Sequence, residues 1–179
     1  MAYVPYIKDY KPFYIQNAAG VCYDTAAQWG MVAKSNPYPM LPEPKAPYFT
    51  DWKDRSGDDE YVAEMDYESQ EISVTFYVIV YNGSTSEAVL RDQIWEFFKF
   101  VNRGYLYIYD SYTGYGRSKV RYAGYTEESD GFRRSDTFAR AIFTIKFKVN
   151  EPTVECIYEN GKIIAYDTGS SASLNTAEE

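Results

Sequence analysis

A mainly β (α+β) domain, a β-sandwich or partly closed barrel with one flanking α-helix, is what three stretches of this sequence predict together. Glu71 to Tyr81 alternates, with Ile72, Val74, Phe76, Val78 and Val80 on one face of a half-buried strand. Asp136 to Val149 does the same over a longer span. Ala139, Ala141, Phe143, Ile145, Phe147 and Val149 point inward there, while Arg140, Thr144, Lys146 and Lys148 point outward. Between them, Leu90, Ile94, Phe97 and Val101 recur at helical spacing and predict one helix from about Thr85 to Asn102. With 179 residues and 45% hydrophobic content, the chain supports a single domain over residues 1–166 and is short for two.

Taken in order, Pro12 to Gln16 and Val21 to Ala33 read as a hairpin about Asn17-Ala18-Ala19-Gly20, with Tyr23, Thr25, Ala27, Trp29 and Met31 sharing a face. Residues 35–50 carry proline every two or three positions and form an extended, polyproline-like arm that cannot be a central strand. Its apolar content (Tyr38, Met40, Leu41, Tyr48, Phe49) predicts that it lies on the chain's own core or on a neighbouring subunit. Asp54 to Glu60 is polar and broken by Gly57, an acidic turn. Ser84-Thr85-Ser86-Glu87 has the spacing of a capping box, in which Ser84 and Glu87 each satisfy a free backbone N–H at the helix start. Gly104 supplies the helix stop, Tyr105 to Tyr109 resumes strand composition, and Gly114 and Gly116 mark a turn. Gly116 to Tyr125 then sets Arg117, Lys119 and Arg121 on one side of a strand. Asn160-Gly161 predicts a type I′ turn in a terminal hairpin over residues 153–166, because that turn needs positive φ at both central residues. Residues 167–179 are mostly Ser, Thr, Ala and Glu without an aromatic residue, a disordered tail.

The chain has a net charge of −8, which argues against a nucleic-acid grip, since that needs clustered cations that displace counterions from phosphates. The charge is unevenly placed. Asp51, Asp54, Asp58, Asp59, Glu60, Glu64, Asp66, Glu68 and Glu71 face only Lys53 and Arg55 within residues 51–71. Arg117, Lys119, Arg121, Arg133, Arg134, Arg140, Lys146 and Lys148 dominate residues 116–148. A dipolar chain of this kind is self-complementary head to tail, so Asp54, Asp58, Asp59, Glu60, Arg117, Lys119 and Arg121 are the candidate subunit-interface residues; two solvated faces are the plain alternative.

Histidine is absent, which removes Ser-His-Asp and Cys-His catalysis and the usual imidazole zinc sites. Cys22 and Cys156 lack metal-type spacing and read as two buried thiols. No phosphate loop, dinucleotide fingerprint or nucleophile elbow occurs, and Asp54 to Glu60 lacks the spacing of a helix-loop-helix calcium site. The expectation is no enzyme, no cofactor and no metal. Twenty tyrosines sustain a second function class, a carbohydrate-binding β-domain that stacks sugars on Tyr105, Tyr107 and Tyr109 or on Tyr112, Tyr115, Tyr122 and Tyr125. The first residues carry Lys8 and Asp9 and no apolar run, so neither a secretory signal nor a membrane partner is expected.

Asp51-Trp52-Lys53-Asp54, Gly57-Asp58-Asp59-Glu60-Tyr61, the strand to Tyr81, the capped helix, Gly104-Tyr105-Leu106 and Tyr109 to Tyr122 together resemble the N-terminal belt domain of phage distal tail proteins, over about residues 20–150. The resemblance implies a β-sandwich with a flanking helix that closes into rings between tail tube and baseplate, similar to tail-tube subunits. It implies a non-enzymatic structural subunit of a phage, prophage or phage-like tail, made in the bacterial cytoplasm and located in the virion tail. The implied partners are copies of itself in a homo-oligomeric, hexameric ring and other tail-tube or baseplate proteins, with no stable nucleic-acid binding.

Overall fold

The computed structural model describes residues 10–34, 37–45, 49–51, 58–60 and 66–167. It is mostly antiparallel β, as the alternation predicts. The strands are β1 Phe13–Asn17, β2 Cys22–Asp24, β3 Met31–Ala33, β4 Phe49–Asp51, β5 Asp58–Glu60, β6 Gln70–Val80, β7 Leu106–Asp110, β8 Tyr115–Glu127, β9 Arg133–Arg134, β10 Ala139–Val149, β11 Val154–Glu159 and β12 Lys162–Asp167. Two helices interrupt them, α1 Thr25–Trp29 and α2 Ser86–Val101. The main sheet runs β2-β1-β7-β8-β10-β6-β3, with β9 added to β10 and β11-β12 branching from β8, while β4 and β5 pair by themselves.

This sheet is curled on itself. β1 and β6 lie four strand spacings apart along the ladder, roughly 19 Å if the sheet were flat. Yet the Phe13 and Phe76 rings meet edge to face with centroids 5.6 Å apart. The inward faces of β6 and β10 therefore close around one aromatic core, and every inward residue named above on those two strands is buried. The edge strands β2 and β3 share no ladder, but α1 and Gly30 join them in six residues and span the gap. The result is one continuous sheet forming a partly closed barrel.

α1 corrects the expectation of a continuous strand from Val21 to Ala33. Asp24 ends β2 and accepts from the Ala26 N–H at 3.0 Å, while the Tyr10 hydroxyl donates to the same oxygen at 2.7 Å. Gly30 then stops the helix at φ 70°, ψ 16°, where residues with a Cβ are strained. A cap and a stop six residues apart outweigh the β-like alternation between them.

α2 lies where helical spacing places it and buries Leu90, Phe97 and Val101, with Ile94 half-buried. Phe97 packs edge-on against both Trp29 and Phe76, tying α2 to α1 and to the sheet. The capping box is not formed. A 3-10 turn over Gly83–Thr85 precedes the helix, and Thr85 caps it without a side-chain bond. Ser86 acts instead, its hydroxyl accepting from Asn82 N–H at 2.8 Å and donating to Gly83 C=O at 2.7 Å. Glu87 turns away to Arg91 at 3.0 Å and Arg134 at 2.8 Å. The Arg134 guanidinium, with that of Arg91, holds the Glu87 carboxyl below its ordinary range.

Two further expectations change. Asp58–Glu60 is not turn but strand β5, in register with Phe49–Asp51. Gly116 is not in the turn after β7, which is made at Ser111–Gly114 with Gly114 at φ 73° and the Tyr112 N–H donating to Asp110 at 2.9 Å. Asn160 and Gly161 take φ 51° and 81°, as a type I′ turn requires, between β11 and β12. Among the described residues no helix is long and apolar enough to cross a membrane. Of the tail assigned to residues 167–179, Asp167 ends β12 and the rest lies outside the described residues.

Since Phe97 contacts both the helical staple and the sheet, Phe97→Ala is expected to lower unfolding free energy by about 3–5 kcal/mol through lost burial plus a cavity. Glu96→Ala, which removes only an exposed pair with Lys99, should change it by less than about 0.5 kcal/mol. Denaturant titration of both variants checks the assignment, and equal small effects would contradict it.

Candidate subunit interface

The basic strand does not present three cations on one side. Against β7, Leu106 stands opposite Val120 and Ile108 opposite Arg117, so β8 carries one residue more than its partner between those pairs. This bulge centres on Lys119, whose φ is 48°. Cross-strand partners share a face, so Arg117 lies on the same face as buried Ile108 and Val120, away from Lys119 and Arg121. Only 7% of Arg117 is exposed. Its Nη1 donates to Gly116 C=O at 2.8 Å and lies 3.8 Å from Glu155, while the guanidinium sits 4.4 Å over the Tyr115 ring. Arg117 is therefore a structural cation inside the fold, which corrects its place among the surface candidates.

Lys119 and Arg121 are exposed. Lys119 pairs with Glu151, and that carboxylate raises the ammonium pKa. Arg121 stands directly opposite Lys148 on β10, two like charges side by side. Such a pair is destabilising by itself, and it is eased by Glu71, which stands opposite Lys148 on β6. Lys146, farther along the same face, pairs with Glu71 at 3.6 Å. The acidic candidates Asp58, Asp59 and Glu60 fall on β5 in the separate two-stranded sheet, and Asp54 lies outside the described residues.

The terminal hairpin covers part of the outer surface. Tyr158 stacks on Tyr14 at 3.6 Å and 7°, and Gln16 clamps the Ile163 backbone, its side-chain amide donating to the C=O at 3.1 Å and accepting from the N–H at 2.8 Å. Sequence reasoning missed Gly116. A Cβ placed there would sit 2.2 Å from the Cys156 carbonyl oxygen, so only glycine lets β11 cross β8 this closely. Cys156 is buried beneath this crossing, and burial pushes its thiol up to about 12. The tyrosines do not form one platform: Tyr14, Tyr109 and Tyr158 are stacked together, Tyr115 is stacked on Tyr38, and exposed Tyr105 and Tyr112 flank opposite ends of β7.

Two apolar features lie at opposite ends of the barrel. The proline-rich arm is held where β8 begins. Its Tyr38 stacks on Tyr115 with centroids 4.2 Å apart and donates to Asp110 at 2.9 Å, and Gln70 donates to Leu41 C=O at 2.9 Å. Met40 and Leu41 remain 92% and 81% exposed at its tip. Where β8 ends, α2 stops short of covering the sheet and leaves an open cleft of about 770 Å³ between α2, β8 and β10. Trp95, Phe98, Tyr122, Tyr125 and Phe132 line it.

No protein-family model and no curated protein matches this chain. One similar solved structure is that of the Dit (gp 19.1) protein of phage SPP1, described as a paradigm of the hub adsorption apparatus in phages that infect Gram-positive bacteria. It matches over 82% of this chain with a TM-score of 0.51 at 15% identity, a likeness of fold. This chain spans about half, 52%, of the length of that protein.

Gly116→Ala is expected to lift the hairpin off β8. In a Cys22→Ser background, Cys156 should then react with a thiol reagent about tenfold faster or more, the effect of roughly 1.4 kcal/mol of lost docking, because labelling needs an exposed thiolate. An unchanged labelling rate would mean that the crossing tolerates a methyl group.

Proposed function

We propose that this chain is a non-enzymatic structural subunit of a phage or phage-like tail, of the distal-tail, baseplate-hub or tube-type ring class, acting by oligomeric assembly around a channel. The observation that carries the reading is the likeness of its fold to a phage hub protein. That likeness agrees with the resemblance of short blocks between residues 20 and 150. The partners are further copies of the chain, in a hexameric ring on the family's pattern, and adjoining tail-tube or baseplate proteins; the location is the virion tail.

The mechanism is electrostatic and geometric. Exposed Arg121, beside Lys148, is a docking point for the acidic residues of a neighbour, with Asp58, Asp59 and Glu60 as the complementary set. A net charge of −8 per copy concentrates negative potential inside a ring, provided the cations are consumed at subunit contacts or turned outward. DNA passing through such a channel would not adhere, because no cations are free to displace its counterions.

Native mass spectrometry at several concentrations tests assembly: a series ending in one discrete closed oligomer is expected, and a monomer throughout would refute the reading. Reversing Lys119 and Arg121 to Glu should weaken assembly, while Arg117→Glu should unfold the β8 crossing instead. Duplex DNA should not shift in a gel near ~150 mM salt, where the screening length is about 8 Å; a shift there would rule out an acid-lined channel.

A further inference from the structure

We propose that the tip of the proline-rich arm of one copy docks in the aromatic cleft beside α2 of the next copy, joining subunits head to tail. The inference deepens the assembly reading and rests on it. Its first support is chemical. Pro37, Pro39, Pro42 and Pro44 restrict the backbone on either side of a bend at Met40 and Leu41, and Pro44 is bridged to Tyr67, so docking forfeits little chain entropy. Proline-rich segments are bound by grooves lined with aromatic rings, and the cleft has seven, Trp95, Phe98, Tyr122, Tyr125 and Phe132 among them. At about 770 Å³ the cleft falls within the ~300–1,000 Å³ of sites that enclose ligands of this size.

The second support is geometric. Tyr38 anchors the arm at Tyr115, whereas Tyr125 on the cleft lies ten residues along the same strand, about 30 Å away. Gln70, which fixes Leu41, stands opposite Val149 at the end of β10, and the cleft involves Ala141 to Ile145 toward the other end. An anchored arm therefore cannot fill its own cleft. It reaches only the cleft of another copy, and a contact between two different surfaces of identical subunits is the kind that builds rings or tubes.

The third support is exposure. Charge takes no part in it, since Arg91 lines the cleft together with Asp92 and Glu127. The exposed Trp95, Tyr125 and Phe132, at 57%, 60% and 47%, are anchors of the type that dominates interfaces.

Two full-length variants test the contact. The arm variant Met40→Asp/Leu41→Asp and the cleft variant Tyr125→Asp, with Trp95→Asp as a second cleft variant, alter exposed side chains and should keep the wild-type circular dichroism. Each alone should raise the assembly midpoint about thirtyfold or more, the size expected on loss of an anchor residue. Mixed one to one, they should form a dimer of twice 20.7 kDa and nothing larger, because one copy supplies the only intact arm and the other the only intact cleft. Wild-type-like assembly of either cleft variant or of the arm variant would overturn the contact while leaving the ring reading intact. Assembly lost only in the cleft variants would overturn it too, giving the cleft another occupant, as would a mixture without dimer. A wild type that is monomeric at every concentration would remove the ring reading itself.

Discussion

Phe13 packs edge-on against Phe76 across the inside of a sheet in which their strands are four places apart, and the rest of the molecule is arranged around that contact. To bring the two rings together the sheet must curl, and a curled sheet has an interior to fill and two edges that approach each other. Phe97 from α2 and Trp29 from α1 fill the interior around Phe76. Edge-to-face pairs of this type add roughly 0.5–1.5 kcal/mol each beyond burial, and they are directional, so they fix how α2 sits as well as how tightly. α1 joins the two edges covalently where no ladder does. The gap that α2 leaves over β8 and β10 is the cleft, and the outer surface left by the curl is where the terminal hairpin binds.

Much of this was legible from sequence because burial on one side leaves a local period. β6 and β10 each keep their inward set in strict alternation for eleven residues, and α2 keeps Leu90, Phe97 and Val101 on one side. The Asn160-Gly161 turn was legible for a different reason: its backbone needs residues that tolerate positive φ. The features that were not legible depend on partners distant in the chain. The bulge at Lys119 is defined only by the register of β8 against β7, and it moves Arg117 from an expected surface site into the fold. Gly116 reads as a turn residue until β11 is laid across it. α1 was hidden because Tyr23, Thr25, Ala27, Trp29 and Met31 imitate a strand, although Asp24 and Gly30 are a cap and a stop that could have been weighed more heavily.

The candidate site was legible in its charge and not in its placement. Composition separates an acidic from a basic region, and the structure then divides the basic one into three fates. Arg117 is internal, Lys119 is paired with Glu151, and Arg121 faces Lys148, whose acidic neighbour Glu71 lies on its far side. The last arrangement is the one that gains from a neighbour. The apolar signals divide similarly, since most tyrosines on β1, β7 and β11 pack on one another, leaving the arm tip and the cleft as exposed apolar features at opposite ends. Two different surfaces at opposite ends are what serial assembly requires.

Electron microscopy of the concentrated full-length protein tests this account most directly. End-on views should show closed rings of one subunit number around an open channel, with the same number in every preparation. Single compact particles of 20.7 kDa at every concentration, or two-fold dimers without a channel, would contradict it.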